Sequence, residues 1–154
     1  MSRLVLALLA ATSALVAGDC PLPYEALDEG RCIFLDPFVA FNWQAAVDHC
    51  KTHGGTLLSY SDCDTFALVY DYIRSQDYTA AKVYWIGARD EAEEGLWKFI
   101  DGTLAPMGVP FWLNGEPNSG NKYNCAVMHN TYNHYWIDYQ CTSTAFSICL
   151  RDAS

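Results

Sequence analysis

The sequence contains few basic residues. Only 9 Lys and Arg residues stand against 18 Asp and Glu residues, which gives a formal net charge of −9 at pH 7. Phosphate backbones and anionic lipid headgroups repel a chain of this charge. The sequence therefore argues against a nucleic-acid partner and against association with an anionic membrane surface.

Hydrophobic runs of membrane-spanning length are also missing. An apolar stretch over residues 4–17 is shorter than the roughly 20 residues that cross a bilayer, and no later stretch is both long and apolar enough. The stretch follows the basic Arg3 and ends in small residues at 16–18, which is typical of a secretory signal peptide. We therefore predict a signal peptide over residues 1–18, a single secreted domain over residues 19–154 and no membrane insertion.

Familiar catalytic motifs are absent as well. The sequence has neither the Gly-x-Ser-x-Gly turn of serine hydrolases nor the His-Glu-x-x-His motif of zinc proteases. His49 and His53 lie four residues apart just before Gly54-Gly55, with no third metal ligand in view, so we predict a solvent-facing pair. His129 and His134 flank a polar turn and are interpreted as surface residues. The sequence therefore predicts a protein that is not an enzyme.

Cysteine, by contrast, is frequent. Seven cysteines in 154 residues indicate an oxidising compartment, and all of them follow the predicted signal peptide. Hydrophobic residues make up 51% of the chain and aromatic residues 14%, which is enough for the core of one folded domain.

Helical patterns occupy the first half of the sequence and strand patterns the second. Asn42 is a candidate N-cap of a first helix, and Ser61 with Asp64 has the spacing of a capping box for a second. The two apolar stripes with helical spacing consist of Trp43, Ala46, Val47 and Cys50, and of Phe66, Val69, Tyr70 and Ile73. Strand candidates are residues 31–34, 83–86, 96–99, 125–128, 135–137 and 146–149. This order predicts an α+β class with helices on an antiparallel sheet.

Three short motifs identify a family. Trp85-Ile86-Gly87, Glu116-Pro117-Asn118 and Trp136-Ile137-Asp138 follow one another in an order and spacing that resemble the C-type lectin-like domain, over nearly all of residues 20–149. The resemblance implies a C-type lectin-like fold, with two helices packed on small antiparallel sheets, a long loop region and stapling disulfides. The pairs that it implies are Cys20–Cys32, Cys50–Cys149 and Cys125–Cys141.

The resemblance also implies a function. Members of the family bind glycans, and secreted relatives act in innate-immune recognition of microbial surfaces. The Glu-Pro-Asn order resembles the mannose-type motif, in which a carboxylate accepts hydrogen bonds from sugar hydroxyls and a carboxamide donates to their oxygens. We therefore expect Glu116, Asn118 and Asp138 to form a carbohydrate site, with Tyr123 stacked on a sugar face.

Calcium is the cofactor that the resemblance implies, but the ligand set is incomplete. Glu116, Asn118 and Asp138 match three of the five side chains of the family's principal calcium site. Tyr123 and Ile137 occupy the other two ligand positions, and both are poor ligands for a hard cation. The alternative function is therefore a calcium-independent module that binds a protein or another non-sugar surface.

Two features leave alternatives open. Asp90 and Glu94 match two ligands of a secondary calcium site, but a solvated acidic loop is the other interpretation. Cys63 has no partner in the implied pairing and falls in the first turn of the predicted second helix. Cys63 is therefore expected either to form an intermolecular disulfide, which would make a homodimer, or to remain a free thiol.

Overall fold

The structure is a computed structural model and describes residues 19–75 and 77–154. The predicted signal peptide falls on residues 1–18 and lies outside this range. Among the described residues, no helix is long and apolar enough to cross a membrane.

The described chain contains helices α1 (Trp43–Thr52), α2 (Cys63–Arg74) and α3 (Asp77–Ala80). Helix α1 begins as predicted, since Oδ1 of Asn42 accepts the N–H of Ala45 at 2.9 Å. Its predicted apolar stripe is buried. The predicted cap of α2 is wrong by one residue. Asp62, not Ser61, caps the helix because its carboxylate accepts both the N–H and the hydroxyl of Thr65.

Eight strands form one sheet in the order β1-β2-β8-β4-β6-β7, with β3 beside β8 and β5 beside β4. Their bounds are β1 (Glu25–Ala26), β2 (Arg31–Phe41), β3 (Thr56–Leu57), β4 (Tyr84–Arg89), β5 (Lys98–Phe99), β6 (Cys125–Met128), β7 (Trp136–Tyr139) and β8 (Ala145–Asp152). The α+β class is confirmed. The sheet is not wholly antiparallel, however, because β4 and β8 pair in parallel where Tyr84 meets Phe146.

Strand alternation gives the sheet two buried faces. Successive residues of β4 belong to different cores, with Trp85 on one face and Ile86 on the other. The Trp85 core includes the stripe of α1, and the Ile86 core includes Val69 and Ile73 of α2. The two helices therefore cover opposite faces of the sheet.

Three disulfides staple this arrangement, and they are the pairs that the family resemblance implies: Cys20–Cys32, Cys50–Cys149 and Cys125–Cys141. The second bridge joins α1 to β8 across a sequence separation of 99 residues. Closing a loop of that length stabilises the fold by about 4.7 kcal/mol in the chain-entropy description. Cys63 is exposed and unpaired at the start of α2.

The Trp85-Ile86-Gly87 motif fixes where β3 meets β4. The N–H of Gly87 donates to the carbonyl oxygen of Leu58 at 2.6 Å. A Cβ atom on residue 87 would lie 2.5 Å from Oγ of Ser59 and 2.8 Å from the carbonyl oxygen of Leu57. Only glycine permits this approach of two backbones.

Candidate functional site

A long loop over residues 100–124 connects β5 to β6 and carries most of the candidate site. Backbone hydrogen bonds tie it to β7: the carbonyl oxygen of Phe111 accepts the N–H of Trp136 at 2.8 Å, and the N–H of Leu113 donates to the carbonyl oxygen of Trp136 at 2.9 Å. The buried indole of Trp112 donates to the carbonyl oxygen of Pro106 at 2.9 Å. This anchoring brings residues 116–119 against Asp138.

The three predicted ligands Glu116, Asn118 and Asp138 converge. The Glu116–Pro117 peptide bond is cis, and Nδ2 of Asn118 donates to Oε1 of Glu116 at 2.9 Å. Asp138 lies on β7 with only 5% of its surface exposed. Its Oδ2 accepts the backbone N–H of Asn118 at 3.0 Å. The structure therefore brings together a carboxylate and a carboxamide next to a second, buried carboxylate.

Ser119 is a site residue that sequence reasoning missed. Its N–H donates to Oδ2 of Asp138 at 2.6 Å, and its hydroxyl lies 2.9 Å from Oδ1 of the same residue. Both oxygens of Asp138 thus hold the turn that follows Pro117. One signal was available in the sequence, since the family that the chain resembles usually has an acidic residue after the position of Asn118, where this chain has Ser119.

The site holds the carboxylates of Glu116 and Asp138, and neither forms an ion pair with another described residue. Burial, and then the charge of Asp138, raise the pKa of the Glu116 carboxyl above its ordinary value. Oε2 of Glu116 is buried and has no hydrogen-bond partner among the described residues. A divalent cation would satisfy this oxygen and offset the repulsion between the two carboxylates. The oxygen donors of Glu116, Asn118 and Asp138 therefore fit calcium.

The two substituted ligand positions differ from each other. Tyr123 is half-buried and lines a cavity of about 270 Å³ together with Asp90, Asn118 and Asp138. Ile137 is buried in the core on the α1 side of the sheet. Tyr123 thus lines the cavity next to two of the candidate ligands, whereas Ile137 is part of the core.

Asp90 and Glu94, the two predicted ligands of a secondary calcium site, line the same cavity as Asn118 and Asp138. Asp90 is buried, with 4% of its surface exposed, and its Oδ2 accepts the N–H of Gly95 at 2.8 Å. Glu94 is exposed. Within the described parts of the chain, no three His, Cys, Asp or Glu side chains form a group that could hold a metal ion. The interpretation of this segment as a solvated acidic loop is wrong for Asp90, because its side chain is buried and accepts a hydrogen bond from Gly95 in the same turn.

Two histidine predictions are wrong. The side chain of His49 is only 15% exposed, with Nε2 3.5 Å from Oδ2 of Asp36 and its ring against Phe41. Strand β2 runs seven residues past the predicted end at Phe34 and covers this face of α1. His134 is 1% exposed, and both Asn133 and His134 lie in the left-handed region, with φ angles of 52° and 58°.

Comparisons with known proteins agree with this architecture. Residues 39–151 match the family model of the lectin C-type domain. The human protein "C-type lectin domain family 17, member A" is 30% identical over 138 residues, which cover 88% of this chain and 33% of that protein. The chain thus spans about a third of the length of this relative.

Two solved structures share the fold at about a quarter identity. The cow carbohydrate-recognition domain of CD23, crystallised with a GlcNAc2Man3 oligosaccharide, has a TM-score of 0.73 and 26% identity, over 89% of this chain and 98% of that one. A calcium-independent type II antifreeze protein has a TM-score of 0.75 and 26% identity, over 92% of this chain and all of that one. The chain therefore belongs to the C-type lectin domain family, a family of binding domains and not of enzymes.

Proposed function

We propose that this protein is a lectin that binds mannose-type sugars through Glu116 and Asn118, with calcium held by Glu116, Asn118 and Asp138. The observation that carries the proposal is the adjacency of the first two side chains, whose Oε1 and Nδ2 atoms lie 2.9 Å apart. Two neighbouring equatorial hydroxyls of a sugar ring present their hydrogen-bond donors and acceptors at a separation similar to that between these two protein atoms. The carboxylate accepts from the hydroxyls and the carboxamide donates to their oxygens.

Calcium would supply a Lewis-acidic centre whose remaining coordination positions accept sugar oxygens. The partnerless Oε2 of Glu116 and the neighbouring carboxylate of Asp138 support this part of the proposal. Asp138 also accepts hydrogen bonds from the backbone N–H groups of Asn118 and Ser119. The turn that presents the sugar ligands is therefore preorganised.

A calcium-independent binding module is the second candidate function. Ser119 donates two hydrogen bonds to Asp138, and Tyr123 and Ile137 offer no carboxylate or amide ligand at the two remaining ligand positions. Similarity to a calcium-independent antifreeze protein also favours it. In this case the ligand would be a protein or another non-sugar surface.

Elution from mannan resin separates the two candidates. We expect the purified protein to bind the resin in calcium and to elute with EDTA. A Glu116→Ala variant should pass through the column, whereas a Glu29→Ala variant, which removes an exposed carboxylate outside the site, should be retained. Retention that ignores EDTA, or no retention, would favour the second candidate.

We further propose that the protein is secreted and recognises microbial surfaces. The seven cysteines and the apolar residues 4–17 support an extracellular location. Expression of the full sequence in a eukaryotic host should release a protein whose N-terminus lies near Asp19. Intracellular retention of the full-length chain would contradict secretion.

Cys63 supports a proposal about assembly. Its exposed thiol at the start of α2 is free to pair with the same residue of a second copy. We expect a dimer band in non-reducing electrophoresis that disappears on reduction and in the Cys63→Ser variant. A monomer band under both conditions would leave Cys63 as a free thiol.

A further inference from the structure

We propose a second binding site, for a small ring that carries a sulfate or carboxylate group, in the cavity between α1 and the β4–β5 hairpin. The cavity has a volume of about 280 Å³. This volume lies just below the usual range for small-molecule sites of about 300–1,000 Å³ and suits a single substituted ring.

Basic residues gather around this cavity in a chain that has few of them. Lys51 from the end of α1, Arg89 from β4 and Lys98 from β5 all line it, so three of the nine Lys and Arg residues meet at one place. All three are exposed. The acidic residue that lines the cavity is Glu93, Oε2 of Glu91 lies 2.9 Å from Arg89, and the exposed Asp101 lies between the lining residues Ile100 and Gly102.

The arrangement of these cations is costly for the free protein. Arg89 and Lys98 are directly opposite each other across the antiparallel β4–β5 pair, and like charges at opposed positions destabilise a sheet. The side chains of Lys51 and Lys98 make no hydrogen bond or ion pair within residues 19–75 and 77–154. An anion in the cavity would relieve the repulsion and give both lysines a partner.

The floor of the cavity is apolar and complements a ring. Val47 and Leu96 line it, and the guanidinium of Arg89 lies 4.8 Å from the centre of the Trp43 ring. Stacking on Trp43 holds Arg89 over the cavity. An apolar ring face would cover the floor while its anionic substituent reached the cationic rim.

This cavity is separate from the candidate sugar site. Both are lined by the loop between β4 and β5, but by different residues of it: Asp90 and Glu94 face the sugar site, and Ala92 and Glu93 face the basic cavity. One loop thus divides an acidic site from a basic one, and the two sites bind ligands of different charge.

A nuclear magnetic resonance titration of the full folded domain tests the proposal. The probes are glucose 6-sulfate and benzenesulfonate at low salt, with glucose as the neutral counterpart. We expect both anions to shift the backbone amides of residues 96–100, and glucose to leave them unchanged. Tighter binding of glucose 6-sulfate would identify an acidic sugar as the ligand source, and tighter binding of benzenesulfonate an aromatic acid.

Charge substitutions locate the site. Lys98→Gln should raise the dissociation constant about threefold and the Lys51→Gln/Lys98→Gln pair about tenfold, as expected for partly solvated charge pairs at independent positions. Lys122→Gln removes the same charge from an exposed position outside the cavity and should leave the constant unchanged. Equal weakening by Lys122→Gln, equal binding of glucose, or no shift of residues 96–100 would overturn the proposal.

Discussion

The hydroxyl of Ser119 lies 2.9 Å from Oδ1 of Asp138, and the N–H of Ser119 donates to Oδ2 of the same carboxylate at 2.6 Å. Asp138 is buried on β7, and Ser119 belongs to the long loop. These contacts attach the turn after Glu116-Pro117-Asn118 to the sheet. The presentation of the two candidate sugar ligands thus depends on a residue that does not itself resemble a ligand.

Ser119→Ala should weaken this attachment while the backbone N–H contact persists. We expect a loss of about 1.5 kcal/mol in the free energy of unfolding, the lower end of the range for one hydrogen bond to a charged group. Chemical denaturation of the variant and of the wild-type protein measures this difference in the free energy of unfolding. Ser61→Ala, which removes an exposed hydroxyl without a hydrogen bond, is the matched control, and an equal effect of the two substitutions would contradict the role of Ser119.

Gly87→Ala should destabilise the fold by about 1–3 kcal/mol, because the new methyl group would overlap the backbone of Leu57 and force the chain apart. Gly30→Ala provides the comparison, since a Cβ atom there meets no atom within 4 Å. The melting temperatures of the two variants, measured by thermal unfolding, test this prediction. Similar melting temperatures would mean that β3 and β4 do not need their close approach.

His134 should make stability depend on pH. Burial lowers the pKa of His134, and the charges of Arg74 and His129 lower it further, although its contact with the carbonyl oxygen of Lys82 opposes this. The folded state therefore favours the neutral ring. Above the unfolded pKa of about 6.5 both states are neutral, and stability should fall as pH drops below it, since the unfolded chain gains the proton first.

One variant tests whether His134 causes this pH dependence of stability. His134→Asn retains a residue type that tolerates the left-handed backbone and removes the titrating ring. Its free energy of unfolding should change less between pH 7 and pH 5 than that of the wild-type protein. An identical change in both proteins would assign the dependence to other groups, among them His49, whose pKa burial and His53 also lower.

Tyr123→Ala tests whether the phenol contributes to sugar binding. Its ring lines the cavity beside Asn118 and Asp138, and stacking on a sugar face would add to affinity without a metal. We expect weaker retention on mannan resin. Tyr78→Ala removes an exposed tyrosine on α3 and should bind normally, and unchanged retention of Tyr123→Ala would exclude stacking.

Interactions between residues that are close in sequence made parts of the fold predictable. The N-cap of α1 at Asn42 depends on one hydrogen bond to a residue three positions on, and the apolar stripe of α1 depends only on helical spacing. The predictions of the cap and of the stripe were therefore both correct. The cap of α2 was harder because Ser61 and Asp62 are both good capping residues. The contact of Asp62 with the Thr65 hydroxyl decides between them.

Long-range packing explains what the sequence did not reveal. Strand β2 continues through Pro37 to Phe41 only because β8 pairs with it again after a register shift between Asp36 and Ala40. The same extension buries His49, and a left-handed turn buries His134. The convergence of Glu116 with Asp138 was expected from the resemblance, whereas the hydrogen bonds of Ser119 required the folded loop.

Sugar preference after exchange of the two ligands tests the central claim most directly. Glu116→Gln/Asn118→Asp interchanges which position carries the carboxylate and which the carboxamide, and the family resemblance associates the resulting Gln-Pro-Asp order with galactose. On resin-bound glycans in calcium, the wild-type protein should be displaced by mannose more readily than by galactose, and the double variant by galactose more readily than by mannose. An unchanged preference for mannose in the double variant would contradict the assignment of the binding site to Glu116 and Asn118.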